Sequence, residues 1–156
     1  MKGDKKVLQS LNTCLKDQLT AINQLFLHAR MSKDWGLGEF NEHEYKCSIH
    51  AMKMADVLIE RILFLESLPN LQDLGKLLIG EDIPDILSCD LTMLLDIRSN
   101  IQNTMKQCES AKDYISRDIL EDMLENVEEQ IDWLETQQWL VKNTGLENYL
   151  QSQTGE

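Results

Sequence analysis

Apolar residues recur at alternating steps of three and four along four stretches of this chain, the spacing of amphipathic helices. The first stretch, about 5 to 35, turns one stripe inward: Leu8, Leu11, Leu15, Gln18, Ile22, Leu25 and Ala29. The second, about 40 to 66, carries Cys47, Ala51, Met54, Leu58, Ile62 and Leu65. The third, about 83 to 110, carries Leu87, Leu91, Leu94, Arg98, Ile101, Met105 and Cys108. The fourth, about 113 to 144, carries Leu120, Met123, Val127, Gln130, Leu134, Gln137 and Val141.

The connections between these stretches predict how the helices run. The first and third are short and require antiparallel neighbours. The second, from Ser67 to Asp82, has about 16 residues and can extend roughly 50 Å, whereas a 27-residue helix is roughly 40 Å long. We therefore predict one all-α domain over residues 1–156: a four-helix bundle with one long crossover and a short fifth helix from Leu146 to Leu150. Asn41 and Glu44 have the spacing of a capping box at the start of the second helix.

Composition and charge narrow the classes of partner. The chain has 156 residues, only 7 Gly and 2 Pro, and a net charge of −12. Such a charge disfavours nucleic acid and anionic membranes, and favours metal cations and basic proteins. Without a bilayer-length apolar run or a signal-peptide core, we expect a cytoplasmic protein. The four cysteines are widely spaced and indicate reduced thiols.

Six inward positions are predicted to meet at one level of the bundle: Gln18, Ala51, Met54, Leu94, Val127 and Gln130. A di-iron centre in a four-helix bundle requires a Glu from each of two helices and a Glu-x-x-His pair from each of the other two. None of the six is a carboxylate or an imidazole, and Glu-x-x-His occurs nowhere in the sequence. We therefore expect no di-iron site here, and no enzyme activity of this chain alone.

A second stripe points away from the bundle axis and contains a methionine. On the second helix it comprises Tyr45, Ile49, Met52, Asp56 and Ile59, beside Leu19, Ile22, Asn23 and Phe26 of the first. Methionine on a helix is most often core filler, but its thioether is a soft donor suited to haem iron. Lys53 and Asp56 either flank such a group or are solvated surface charges. His28, His43 and His50 lack acidic partners at ligand spacing, and we assign none of them to a metal.

Several segments resemble bacterioferritin: AINQLFLHAR at 21–30, IERILFLE at 59–66, LPNLQDLGKL at 68–77, IDWLE at 131–135, and the two ends at 1–4 and 146–151. The resemblance implies a ferritin-like fold and a hollow cage of two dozen subunits that stores a ferric mineral. It also implies one b-type haem per subunit pair, held across a two-fold axis by two methionines. Met52 falls at that methionine's position. The six positions above correspond to the family's ferroxidase ligands, and Leu25 and Leu58 stand where the family has tyrosines.

The sequence thus favours a haem-carrying, ferroxidase-deficient subunit. Such a subunit would pass electrons from a ferredoxin-like donor through haem to mobilise stored iron, and co-assemble with a ferroxidase-active second subunit. Two alternatives stay open. One is a purely structural cage subunit without haem; the other oxidises iron at improvised carboxylate sites.

Overall fold

The computed structural model describes residues 1–155. It contains five helices: α1 (Lys5–Asp34), α2 (Gly38–Phe64), α3 (Ile83–Ser110), α4 (Tyr114–Thr144) and α5 (Leu146–Ser152). Helix α1 packs against α2 and α3, and α4 packs against α3, α5 and more lightly α2. The predicted all-α four-helix bundle with a short C-terminal helix is confirmed. Within the described residues, no helix combines the length and apolarity needed to cross a membrane.

Aspartates begin three of the four long helices. The carboxylate of Asp4 accepts hydrogen bonds from the backbone N–H groups of Lys6 and Val7, at 3.0 and 3.1 Å. Asp82 and Asp113 accept equivalent bonds at the starts of α3 and α4. Each satisfies amide donors that a helix start otherwise leaves without partners.

Helix α2 begins without such a cap, and here the predicted capping box is wrong. Its N-cap is Leu37, and no side chain bonds to the first turn. Glu44 lies beyond that turn with its side chain 2% exposed. The Glu44 carboxyl belongs to the bundle interior.

The four inward stripes form one core. The largest side chains buried in it include Leu11, Leu15, Leu58, Ile62, Leu87, Ile101, Leu120 and Met123. Burying one such side chain stabilises the fold by about 1.5–3 kcal/mol. Arg98 was predicted to face inward, but its guanidinium pairs with Glu128 at 2.8 Å and is partly exposed. Its long stem can lie along the core while the charge reaches water.

The crossover between α2 and α3 lies along α1. Four of its backbone N–H groups donate to α1 side chains: Asn70 to Asn12 Oδ1 (2.9 Å), Gly75 to Thr20 Oγ1 (2.8 Å), Leu78 to Gln24 Oε1 (3.0 Å) and Gly80 to His28 Nε2 (3.0 Å). These bonds satisfy backbone donors of a segment that has no regular secondary structure. At Gly80 a Cβ atom would overlap the backbone nitrogen of Ile86, so the close approach requires glycine.

Candidate functional site

The six central positions surround one small cavity. Gln18, Ala51, Met54, Leu94, Val127 and Gln130 all line it, and its volume is about 10 Å³. Its remaining lining residues are apolar apart from Asn126, whose Oδ1 accepts a hydrogen bond from Gln130 Nε2. No carboxylate or imidazole is among these lining residues. The cavity therefore offers a metal ion only neutral amides and the thioethers of Met54 and Met123.

A buried polar cluster that was not predicted from the sequence also lies inside the bundle. It comprises His28 of α1, Glu44 of α2 and Asp90 of α3, all three buried. One ligand atom from each lies within 4.8 Å of the other two. Across residues 1–155, no other group of three such side chains meets this criterion.

Hydrogen bonds fix the orientation of His28 and Asp90. The Gly80 N–H donates to His28 Nε2 at 3.0 Å, so that nitrogen carries no proton. The proton is on Nδ1, which donates to Asp90 Oδ1 at 2.8 Å. Gln24 Nε2 donates to the same oxygen at 3.0 Å. His28 is therefore neutral, and both its nitrogens are engaged.

One oxygen of each carboxyl group in the cluster has no hydrogen-bond donor. Glu44 Oε2 and Asp90 Oδ2 are buried and make no hydrogen bond. Burial, and then the adjacent Asp90 carboxyl, raise the pKa of Glu44 well above its ordinary value. An isolated buried charge is strongly unfavourable, so these oxygens favour a proton or a cation between them.

Cys47 and His43 lie beside this cluster on α2. His43 directly precedes Glu44 in the sequence, and Cys47 follows Glu44 by three residues. The Cys47 Sγ atom lies 3.5 Å from His43 Nε2. Burial, with the Glu44 and Asp90 carboxyls, raises the pKa of Cys47 to about 12. Burial and Lys46 lower the pKa of His43 to about 4. His43 is thus a neutral imidazole near pH 7, and its ring stacks on Trp133 with centroids 3.5 Å apart.

The Met52 side chain is 52% exposed on the outer face of α2. Among the residues predicted to accompany it, Leu19, Ile22, Tyr45, Ile49 and Ile59 are half-buried, whereas Asn23, Phe26, Lys53 and Asp56 are exposed. The rings of Phe26 and Tyr45 lie 6.1 Å apart. Arg30 was not predicted at this face, and its guanidinium lies over both rings, 5.1 and 4.7 Å from their centroids. Its position four residues after Phe26 on α1 was the available signal.

A bundle of two antiparallel helix pairs, joined by one long crossover around a buried polar cluster, has the architecture of ferritin-like proteins. The ferritin family, described as a ferritin-like domain, matches residues 8–144. The chain is 41% identical over 158 residues to the bacterial ferritin of Synechocystis sp., covering 98% of this chain and 99% of that one. It is 39% identical over 149 residues to the bacterioferritin of Brucella melitensis, covering 96% and 92%. The bacterioferritin of Rhodobacter capsulatus is 40% identical, again covering 96% and 92%. This chain therefore belongs to the bacterioferritin branch of the ferritin-like family.

The prediction that this chain alone is not an enzyme was wrong. It considered only the six central positions, and it assigned no histidine to a metal. The described residues also contain a buried group that could hold a metal ion, formed by His28, Glu44 and Asp90, in a chain whose relatives are bacterioferritins. Because Glu44 was assigned to a helix cap, it was not considered as a metal ligand.

Proposed function

We propose that this chain is a haem-carrying subunit of an iron-storage cage. The observation that carries the proposal is the Met52 thioether, half-exposed on an outer face of α1 and α2 that combines apolar and polar side chains. A methionine that served only as core filler would be buried. An exposed soft donor that a two-fold axis supplies twice suits a planar macrocycle between two subunits.

The residues around Met52 fit a haem b of this kind, one per subunit pair. Leu19, Ile22, Phe26, Ile49 and Ile59 offer apolar contacts, and Asn23, Tyr45, Lys53 and Asp56 offer polar groups at its edge. Bound there, haem iron supplies reversible one-electron chemistry. We infer that the chain uses it to accept electrons from a ferredoxin-like donor and to mobilise a stored ferric mineral in the cytoplasm.

The six central positions do not hold a di-iron centre in this proposal. Their neutral lining supports this, because hard iron ions favour carboxylate and imidazole ligands. We propose that the chain, acting as one domain over residues 1–156, joins a second bacterioferritin subunit that carries those ligands in a mixed cage of 24 subunits.

The visible spectrum of the purified assembly tests the haem. We expect a haem band in the wild type and its loss in Met52→Leu. Met54→Leu is the matched control, since Met54 is two positions along on the same helix and faces the central cavity. Its spectrum should equal that of the wild type. A colourless wild type would favour the alternative of a purely structural subunit, and a Met52→Leu variant that keeps the band would reject Met52 as ligand.

Co-purification tests the mixed cage. Tagged chain expressed in its native host should bring down an untagged second bacterioferritin subunit that contains Glu-x-x-His pairs. Recovery of this chain alone with a full iron load would contradict the shared assembly.

A second candidate function is iron oxidation at carboxylates outside the six central positions. The buried Glu44 and Asp90 pair favours it, since carboxylate oxygens suit iron ions. A cage made only of this chain should then oxidise ferrous iron faster than buffer does, and Glu44→Gln should slow the reaction. Equal rates in the cage and in buffer would reject this function.

A further inference from the structure

Helix α2 has no capping side chain, and the end of the chain takes that role. The Gly38 N–H donates to Thr154 O at 3.2 Å, and the Glu39 N–H donates to Gln153 O at 3.0 Å. Gly38 and Glu39 are the first two residues of α2, and the N–H groups of a first turn have no partners within their own helix. The two carbonyl groups therefore cap a helix that lies far earlier in the sequence.

These carbonyl groups belong to the C-terminal segment, residues 146–155, which comprises α5 and the tail that follows it. The Gln153 N–H donates to Leu150 O at 3.0 Å, so the last turn of α5 continues into the tail. The next carbonyl groups of the chain are then free to accept from α2. The contact is favourable because carbonyl oxygens at a helix C-terminus are partially negative, and amides at a helix N-terminus are partially positive.

The tail lies tightly against α2 at Gly155. A Cβ atom added at this glycine would stand 3.0 Å from Glu39 Cβ and 3.4 Å from Glu39 N. Its φ of +36° also lies in a region that residues with a Cβ atom rarely adopt. A larger residue at position 155 would therefore push the tail away from α2 without shortening the chain.

One buried side chain attaches the same segment to α4. Tyr149 is 2% exposed, whereas most residues of the C-terminal segment are exposed. Its hydroxyl donates to Gln137 Oε1 of α4 at 2.6 Å. Leu150, the next residue, also packs against the core. The segment thus contacts α4 through Tyr149 and α2 through the tail, and it joins two helices that have little direct contact with each other.

We propose that the C-terminal segment is a latch, which closes on the start of α2 and opens as one unit while the four-helix bundle stays folded. Few buried groups hold this segment, and such segments open at a lower free energy than the whole domain. Because one short helix carries both attachments, loss of either attachment releases the other. Phe40, which is fully buried, holds the rest of α2 in place when the latch opens.

The latch forms one wall of an apolar groove. The groove has a volume of about 470 Å³ and lies between the latch, the turn from α1 to α2 and the start of α3. Leu146 and Leu150 line it on the latch side. Leu37 and Ile83 line it on the other sides and are only 6% and 3% exposed. Opening of the latch removes that wall and increases the exposure of these two side chains to water.

Amide hydrogen exchange of the assembled protein, measured by mass spectrometry of short peptides, tests the latch. Tyr149→Phe removes the hydrogen bond to α4, and it should speed exchange at Gly38 and Glu39 roughly 10-fold, although Tyr149 donates to neither. Tyr114→Phe, at an exposed position of α4, is the matched control and should leave both amides unchanged. If Tyr149→Phe speeds exchange in α5 alone, the segment does not open as one unit and the proposal is wrong.

Changes in the tail test the coupling in the opposite direction. Gly155→Val displaces the tail but keeps Tyr149, and it should speed exchange throughout α5 as well as at Gly38 and Glu39. Removal of residues 153–156 should have the same effect. A chain that ends at Gly155 retains both capping carbonyl groups and is the matched control, with exchange equal to that of the wild type.

Two results would overturn the latch. If the tail variants speed exchange at the start of α2 and leave α5 protected, the two attachments are independent. The wild type alone provides the second result, whether or not the variants assemble. A common opening requires equal protection of the Gly38 and Glu39 amides and of the amides in α5, so unequal protection excludes it.

Discussion

Arg61 of α2 donates from Nη2 to Asp113 Oδ1 at 2.8 Å, and so ties the end of one helix to the first residue before α4. The two side chains are only 10% and 13% exposed. Arg61 Nε also donates to Ser116 Oγ at 2.8 Å. The pair thus connects α2 to the cap of α4, two helices that otherwise touch little.

Replacing Arg61 by Met should destabilise the fold by about 2 kcal/mol, because hydrogen bonds to a charged group are lost. Equilibrium denaturation at pH 7 measures this change. Arg98→Met is the control: Arg98 pairs with Glu128 in solvent, and its loss should change stability by less than about 1 kcal/mol. Equal effects of the two substitutions would contradict this account.

The effect of Arg61→Met should also depend on pH. Burial alone would raise the pKa of Asp113, but hydrogen bonds from Ser116 and Arg61 lower it below the usual 3.8. A carboxyl with a lowered pKa stabilises the fold above its unfolded-state pKa and loses that contribution as the pH falls through the folded-state pKa. The stability difference between wild type and Arg61→Met should therefore shrink below about pH 4. A difference that stays constant down to pH 2 would show that Asp113 is not involved.

Tyr149→Phe tests how α5 is attached. The buried Tyr149 hydroxyl donates to Gln137 Oε1 at 2.6 Å. Removing it leaves a buried acceptor without a partner, which should cost about 1–3 kcal/mol and speed amide hydrogen exchange in α5. Tyr114→Phe is the control because Tyr114 is 62% exposed. Unchanged exchange in α5 would show that apolar packing alone holds this helix.

Gly80→Ala tests the close approach of the crossover to α3. The added Cβ would meet backbone atoms of Asp85 and Ile86, which cannot rotate away. Overpacking of this kind should cost about 1–3 kcal/mol, seen as a lower melting temperature. Gly38→Ala is a useful comparison, since its Cβ would stand 3.2 Å from Thr154 O near the chain end. Full stability of Gly80→Ala would mean that the two segments separate readily.

Val127→Glu tests the apolar lining of the central cavity. Val127 is 4% exposed, and no cationic side chain lines that cavity. An unpaired buried carboxylate should destabilise the fold at pH 7 by about 3–5 kcal/mol. Because burial would raise the folded-state pKa of this Glu, the loss should diminish as the pH falls below that pKa. Thr136→Glu, exposed on the same helix, should show neither effect.

The helices and the crossover were predictable because their signals are local. Apolar periodicity predicted which face of each helix is buried, and the length of the 67–82 segment permitted a connection along the bundle. The prediction that Arg98 faces inward was wrong for a physical reason. A long charged side chain can start at an inward position and still place its charge in water.

The buried polar cluster was not predictable in the same way. His28 and Asp90 are 62 residues apart and meet only through packing of α1 against α3. Glu44 has the spacing of a helix cap, and only the actual start of α2 at Gly38 rules that out. One signal was present: Thr20, Gln24 and His28 recur every four residues as a polar stripe beside the apolar one. Such a stripe indicates a helix face covered by another part of the chain.

The attachment of the crossover to α1 also restricts how this chain can evolve. Four acceptor side chains at fixed positions along α1 accept hydrogen bonds from backbone N–H groups of successive residues between Asn70 and Gly80. Adding or deleting one residue in that interval would shift every later donor away from its acceptor. Homologous sequences should therefore differ in length at the short turns near 36 and 112, and keep the interval from 70 to 80 free of gaps.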